Sequence, residues 1–198
     1  MKKILFFSFL IAFSGTLKGQ TKELSLIKSR IVAELFANPV DDKQVGQALS
    51  HLKEDGSFDN IDYSDLSTTA SFPHGRHTSD LAQLAKSFNS PKSTYFKSPL
   101  VKDAIIRGLN YWIQKDYVGD NWHDNQITTP TNLINIVVAV GQDLPSNLLD
   151  KLKPIIGRAN MSASGARPSG DRIVIAGILA KNMLFLGNET EFNAIIRI

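Results

Sequence analysis

The chain of 198 residues contains no cysteine. Disulfide frameworks, Cys-ligated zinc, iron–sulfur clusters and thiol catalysis are therefore excluded. An excess of one charge is also missing. The 22 Lys and Arg face 19 Asp and Glu, and Lys2, Lys3 and Lys18 lie in an N-terminal stretch without an acid. Residues 20–198 thus carry 22 − 3 = 19 bases against 19 acids, a balance that argues against a nucleic-acid partner. No segment approaches the roughly 18 consecutive apolar residues of a membrane-spanning helix. Strand-like alternation and low-complexity tracts are absent as well. What is present, 42% hydrophobic and 21% charged residues, is the composition of a folded globular chain.

Residues 1–19, MKKILFFSFLIAFSGTLKG, combine a basic start (Lys2, Lys3) with an apolar run from Ile4 to Phe13. That run is too short to cross a bilayer and matches a cleaved secretory signal, with Gln20 as the expected first mature residue. The mature chain is expected to be secreted or periplasmic, with no membrane attachment after cleavage. The absence of a following cysteine excludes a lipoprotein anchor.

The body reads as helical nearly throughout. Leu24, Ile27, Ile31 and Leu35 recur at steps of three and four until Pro39, as on one face of a helix. Val45, Leu49 and Leu52 mark a second helix, and residues 55–73 form a polar loop. Helical spacing resumes with Leu81, Leu84, Ala85 and Phe88, with Thr78-Ser79-Asp80 as the expected start. Ser98-Pro99 opens a long helix through Leu109 and Trp112. A polar and aromatic loop is expected over 116–128. Helices then open at Pro130 and Pro145, a Gly/Ser/Ala-rich loop spans 157–170, an apolar helix runs from about Asp171 to Leu186, and Thr190 starts a last one. The fold class is all-α, with helix pairs of the kind that stack into bundles, solenoids or toroids. The final helix stops at Ile198 on an apolar note without a capping residue, which suggests a truncated chain.

Charge segregates along the body. Residues 41–65 hold seven acids and two bases, whereas residues 151–182 hold six bases and one acid, Asp171. The second tract reads either as a solvated face or as a basic lip for an anion.

Three constellations invite a chemical reading. Asn121-Trp122-His123-Asp124-Asn125-Gln126 gathers amides, an indole and an imidazole, the groups that match sugar hydroxyls and stack on a pyranose. It reads equally as a helix-capping loop whose Trp122 plugs the core. Gly165 to Arg172 is a Gly-flanked loop entering a helix, where backbone donors and Arg167 and Arg172 favour an anion. Its alternative is a tight turn with Asp171 as N-cap. His74 and His77 stand three apart, a spacing metals can use, but Gly75 between them favours a hydrogen-bonded loop. Asp55, Asp59, Asp62 and Asp65 do not follow a calcium loop, because Gly56 precedes the second aspartate. No metal site and no cofactor are expected.

Asp55-Gly-Ser-Phe-Asp-Asn-Ile-Asp-Tyr63, Ser93-Thr-Tyr95, Tyr111-Trp112 and Asn121-Trp-His-Asp-Asn-Gln-Ile-Thr-Thr-Pro130 follow one another in order. Together they make residues 25–196 resemble the N-terminal helical domain of family-8 polysaccharide lyases, the hyaluronate, chondroitin AC and xanthan lyases. The resemblance implies part of an incomplete α/α toroid over residues 20–198. It also implies cleavage of an acidic, uronate-containing polysaccharide by β-elimination. It places Trp122 on the first tryptophan of the family's aromatic patch, with Asn121, His123, Asn125, Gln126 and Arg172 beside the substrate. His123 replaces the family's second tryptophan, Gln126 its usual glutamate, and Arg167 the asparagine that neutralises the substrate carboxylate. Arg167 can serve that purpose bidentately, with Asn160 as the other candidate. The family's proton-transferring His and Tyr fall beyond position 198, so the base is expected outside this chain. The competing expectations are a non-catalytic helical module that binds acidic glycans, and, less well matched, a glycoside hydrolase, for which no spaced carboxylate pair is evident.

Overall fold

The structure, a computed structural model, describes residues 22–67, 72–163, 165–168, 170–187 and 189–195. The expected signal segment and the Ile198 end lie outside them. The described residues form eight α-helices: α1 (22–35), α2 (Asp42–His51), α3 (His74–Asn89), α4 (Pro99–Lys115), α5 (Thr129–Val140), α6 (Ser146–Ile156), α7 (Gly170–Leu186) and α8 (Glu189–Ile195). A π-helical turn, Asp124–Thr128, leads into α5. The β-structure among the described residues is one isolated bridge between Leu52 and Phe58.

Local chemistry sets the helix ends. Asp41 caps α2 by accepting from Lys43 N and Gln44 N at 2.9 and 3.3 Å, as a short acceptor does at an N-terminus. Pro99 opens α4, and Asp116 closes it in the left-handed region at φ 46°. Burial then sorts the helices into layers. Nine of the twelve α5 residues are buried, the mark of a central helix. By contrast, α6 buries one face through Leu148, Leu152, Ile155 and Ile156. Helix α3 packs on α2, α4 and α5, while α5 also packs on α6 and α7. The inner row is therefore α3, α5 and α7.

These three helices point the same way. Gly75 and Thr128, at the starts of α3 and α5, lie side by side, and Asn89 at the end of α3 donates to the Ala139 carbonyl near the end of α5. A groove at that far end is lined by Asn89, Val140 and Leu186, the last residue of α7. The N-termini of α3, α5 and α7 thus share the opposite end of the molecule.

Two expectations are corrected. Helix α3 begins at His74, not at Thr78–Asp80, so His74 and His77 sit in its first turn. Both are fully buried, which an exposed helix start does not permit. The loop after α4 ends at Asn121, because Trp122 and His123 already belong to the helical segment that becomes the π-turn. The polar stretch 55–73 is anchored by buried Phe58, Ile61 and Phe72, while Asp55, Asp62 and Asp65 each turn back on a serine two residues ahead.

His77 ties these parts together. Its Nε2 lies 3.0 Å from the Gly108 carbonyl on α4 and its Nδ1 2.8 Å from the Tyr63 hydroxyl. A carbonyl only accepts, so Nε2 carries the proton and Nδ1 accepts from Tyr63. The Tyr63 oxygen in turn accepts from Phe58 N at 3.0 Å. Gly108 is required here, since a Cβ would stand 2.5 Å from Leu81 Cδ2. Burial lowers the His77 pKa to about 4.

The sign of the resulting pH dependence is fixed. Between the ordinary His value of about 6.5 and about 4, the unfolded chain binds a proton that the folded chain refuses. Stability therefore falls as pH falls through that window, by about 3 kcal/mol in all. Burial raises Asp80, which acts in the opposite direction. Urea midpoints at pH 7 and pH 4.5 should show a steeper acid loss in the wild type than in His77→Gln. Equal slopes would refute the role given to His77.

Candidate functional site

The candidate residues gather where the inner helices begin. Asn121 Oδ1 accepts from His123 N at 3.0 Å, capping the helical segment. Asn125 faces back into the preceding loop: its Oδ1 accepts from Gly119 N at 2.9 Å and its Nδ2 donates to Gly119 O at 2.7 Å. With both amide atoms engaged, Asn125 fixes the loop that ends at Trp122. Gln126 carries a buried Oε1 without a hydrogen-bond partner.

Trp122 is half-buried and packs on the core. Its indole lies directly against Gly165: a Cβ there would overlap the ring, standing 2.7 Å from Cδ1. The glycine of the 157–170 loop is thus what lets that loop close over the indole. His123 is exposed, with its ring edge-on to Trp122 and its Nδ1 3.3 Å from Thr128 Oγ1.

Arg167 follows two residues after Gly165. Its Nε and Nη2 donate to Asp171 at 3.1 and 3.2 Å, and its backbone N donates to the same carboxylate at 2.9 Å. The Arg167 side chain is 79% exposed and that of Asp171 10%, so a shielded acid holds an arginine that faces solvent. The hydrogen bonds and charge of Arg167 lower the Asp171 pKa, and His123 adds to the effect. The structure therefore brings Trp122, His123, Gly165, Arg167 and Asp171 into one cluster. Arg172 is exposed next to it in sequence. Asn160 is exposed, and its Oδ1 accepts from Ser162 N at 2.9 Å. Nearby Arg158 is ion-paired with Asp116.

Sequence reasoning treated Asp171 as a helix cap and missed its grip on Arg167. Helical spacing could not announce it, because Arg167 lies in the loop before α7 and only Asp171 is on the helix. The carboxylates of Asp55, Asp62 and Asp65 are occupied by serine donors and that of Asp59 by His51, and no group of three or more metal-binding side chains occurs among the described residues.

Gly165→Ala should force the loop off Trp122. The expected cost is about 1–3 kcal/mol, as for overpacking, read by urea denaturation together with a shifted tryptophan emission. An unchanged midpoint and spectrum would show that the loop does not rest on the indole.

Comparison with known proteins places this geometry. Residues 37–162 match the family described as polysaccharide lyase family 8, N terminal alpha-helical domain. Chondroitinase-AC of Pedobacter heparinus is 29% identical over 137 residues, 68% of this chain and 19% of that protein. A chondroitinase AC lyase solved in oligosaccharide complexes shares the fold with a TM-score of 0.77 at 23% identity, covering 88% of this chain and 26% of that one. A Paenibacillus xanthan lyase has a TM-score of 0.64 at 16% identity, over 89% and 19% of the two chains. The chain thus spans about a fifth of the length of the curated relative it matches. The likeness bears out the all-α reading and the α/α-toroid architecture. By the family match, which covers well over half of its residues, the chain belongs to polysaccharide lyase family 8 and carries that family's N-terminal helical domain.

Proposed function

We propose that this chain forms one wall of the cleft of an exported polysaccharide lyase, which cleaves an acidic, uronate-containing polysaccharide by β-elimination. The observation that supports it is the cluster in which Trp122 rests on Gly165 while Asp171 holds Arg167 toward solvent, in a chain of this family. The curated relative is named for its action on chondroitin, a polymer of alternating uronate and neutral hexosamine, and that class of substrate is part of the proposal. So is export, which the leader-like residues 1–19 support.

The chemistry asks for two things from this wall. A β-elimination removes the proton on C5 of the uronate, and that proton becomes acidic only when the adjoining carboxylate is neutralised. Arg167 supplies the charge. Nε and one Nη2 hydrogen are spent on Asp171, which leaves Nη1 and the second Nη2 hydrogen for a carboxylate. Trp122 supplies an apolar face for the sugar ring, and His123 and Arg172 flank it. The base does not come from the half-buried Tyr63 or the buried His77. They are bonded to each other, and burial raises the pKa of the first and lowers that of the second.

In the full-length protein, Arg167→Ala should lower kcat roughly 10²–10³-fold, the scale of losing one electrostatic stabiliser. Trp122→Ala should raise KM about tenfold. The assay is the ultraviolet absorbance of the unsaturated uronate formed from chondroitin. Retained kcat and KM in both variants would remove these residues from the cleft.

A further inference from the structure

Two loops lead from the outer helices to the candidate site. One leaves α4 at Asp116 and reaches Trp122. The other leaves α6 at Gly157 and passes through Gly165 and Arg167 to α7. Their far ends meet where the indole lies against Gly165. Their near ends meet as well: Asp116 Oδ2 accepts from Arg158 Nη2, where α4 and α6 pack on each other. The two loops thus form a closed circuit, with an ion pair at one end and the indole contact at the other.

Asp116 is a costly residue for its position. It closes α4 in the left-handed region, at φ 46° and ψ 54°, which glycine or asparagine enters more readily. Its charge stands at a helix C-terminus, where the dipole disfavours an anion. Its Oδ1 is buried without a partner. Ending a helix asks for no carboxylate here. What uses it is Arg158, the first residue after the α6 cap, whose cation suits the C-terminus of its own helix. The two side chains are 33% and 37% exposed, so water screens the pair only in part.

The rest of each loop shows how the pair acts at a distance. The first loop is held firmly. Asn125 engages Gly119 through both amide atoms, Asp120 N donates to the Leu66 carbonyl, and the Tyr117 hydroxyl lies 3.0 Å from that of Tyr111. The second loop turns on itself. Ser162 N donates to Asn160 Oδ1, Ala163 N to the Asn160 carbonyl and Ala166 N to the Ala163 carbonyl. These bonds make it a compact unit hung between Arg158 and Asp171. A shift at Arg158 is therefore passed on to Arg167 rather than absorbed on the way.

We propose that Asp116 and Arg158 are a positioning pair, whose ion bond sets the distance between the Trp122 side and the Arg167 side of the site. The inference rests on the proposed function, because it takes Arg167 to face the substrate carboxylate. It adds that two carboxylates place that guanidinium. Asp171 orients it, and Asp116, through Arg158, sets where its loop stands.

The test measures chondroitin turnover by full-length protein carrying Arg158→Gln, Asp116→Asn or Arg167→Ala, and each of the first two combined with the third. Urea midpoints check that every variant is folded. Asp116→Asn keeps a residue suited to the left-handed helix end, and it carries the same test if Arg158→Gln does not fold. Each of the two should lower kcat about tenfold, within the loss that a misplacement of about 1 Å brings. Combined with Arg167→Ala, each should change kcat less than about twofold, because the group they place is gone. The same loss in both backgrounds, or none in either, would overturn the positioning role and leave the proposed function standing. Wild-type kcat in Arg167→Ala alone, or no turnover by the wild type, would overturn the functional reading and the positioning role with it.

Discussion

One buried imidazole sets the geometry on which the rest depends. His77 is fully enclosed and bridges the Tyr63 hydroxyl to the Gly108 carbonyl. A loop, helix α3 and helix α4 are thereby held through two bonds that no apolar residue could make. Around it stand Tyr63, Tyr111, Trp112 and Phe58, with centroids 5.0–5.9 Å from its ring. In such surroundings a charged imidazole has no counter-ion, and a neutral one with a defined tautomer is the stable form. His74 beside it donates from Nε2 to the Tyr63 carbonyl at 2.8 Å. Loop 55–67 is thus fastened to the start of α3 from both rings, which fixes the end of the molecule where the inner helices begin.

That end carries the candidate chemistry for a related reason. Three parallel inner helices begin together at that end, and their aligned dipoles give the rim a positive bias. The chain adds its own charges in an uneven way. Acid-rich residues 41–65 run into the start of α3, and base-rich residues 151–182 into the start of α7. The segregation seen along the sequence is spread out in space: Asp42 meets the α3–α4 connection and Lys153 pairs with Glu191, while Arg167 stands at the start of α7. Further ties keep the frame rigid around it. Asp42 on α2 accepts from Ser93 Oγ, Thr94 N and Thr94 Oγ1 at 2.6–2.8 Å, which pins the α3–α4 connection.

The helices were legible because their apolar spacing is regular and their ends carry Pro, Gly or Asp. The start of α3 was not. Gly75 and two histidines look like loop residues, and only the distant Tyr63 and Gly108 supply the partners that make His74 and His77 stable inside. The family motifs were legible for a reason the structure makes physical: Asp55-Gly-Ser-Phe, Tyr63 and Ser93-Thr-Tyr95 are fastening points rather than surface decoration. Asp55 accepts from Ser57, Tyr63 holds His77, and Ser93 and Thr94 hold Asp42. In the candidate site, the sequence marked Trp122 and Arg167 by type, but no spacing rule brings positions 122 and 165 into contact. That contact is tertiary and depends on α5, α6 and the loop after them.

The pairing of Arg167 with Asp171 has two opposing consequences for an anionic ligand. The carboxylate cancels part of the arginine's field, which weakens long-range attraction. It also fixes the guanidinium plane through two side-chain bonds, so less rotamer entropy is lost when a ligand carboxylate arrives. An asparagine at position 167 would have needed no such partner, being uncharged and short. An arginine, longer by several rotatable bonds, does. The shielded Asp171 at the first turn of α7 thus holds Arg167 in a set orientation. Its unused N–H groups face solvent, in a direction set by the helix rather than by the side chain's own freedom.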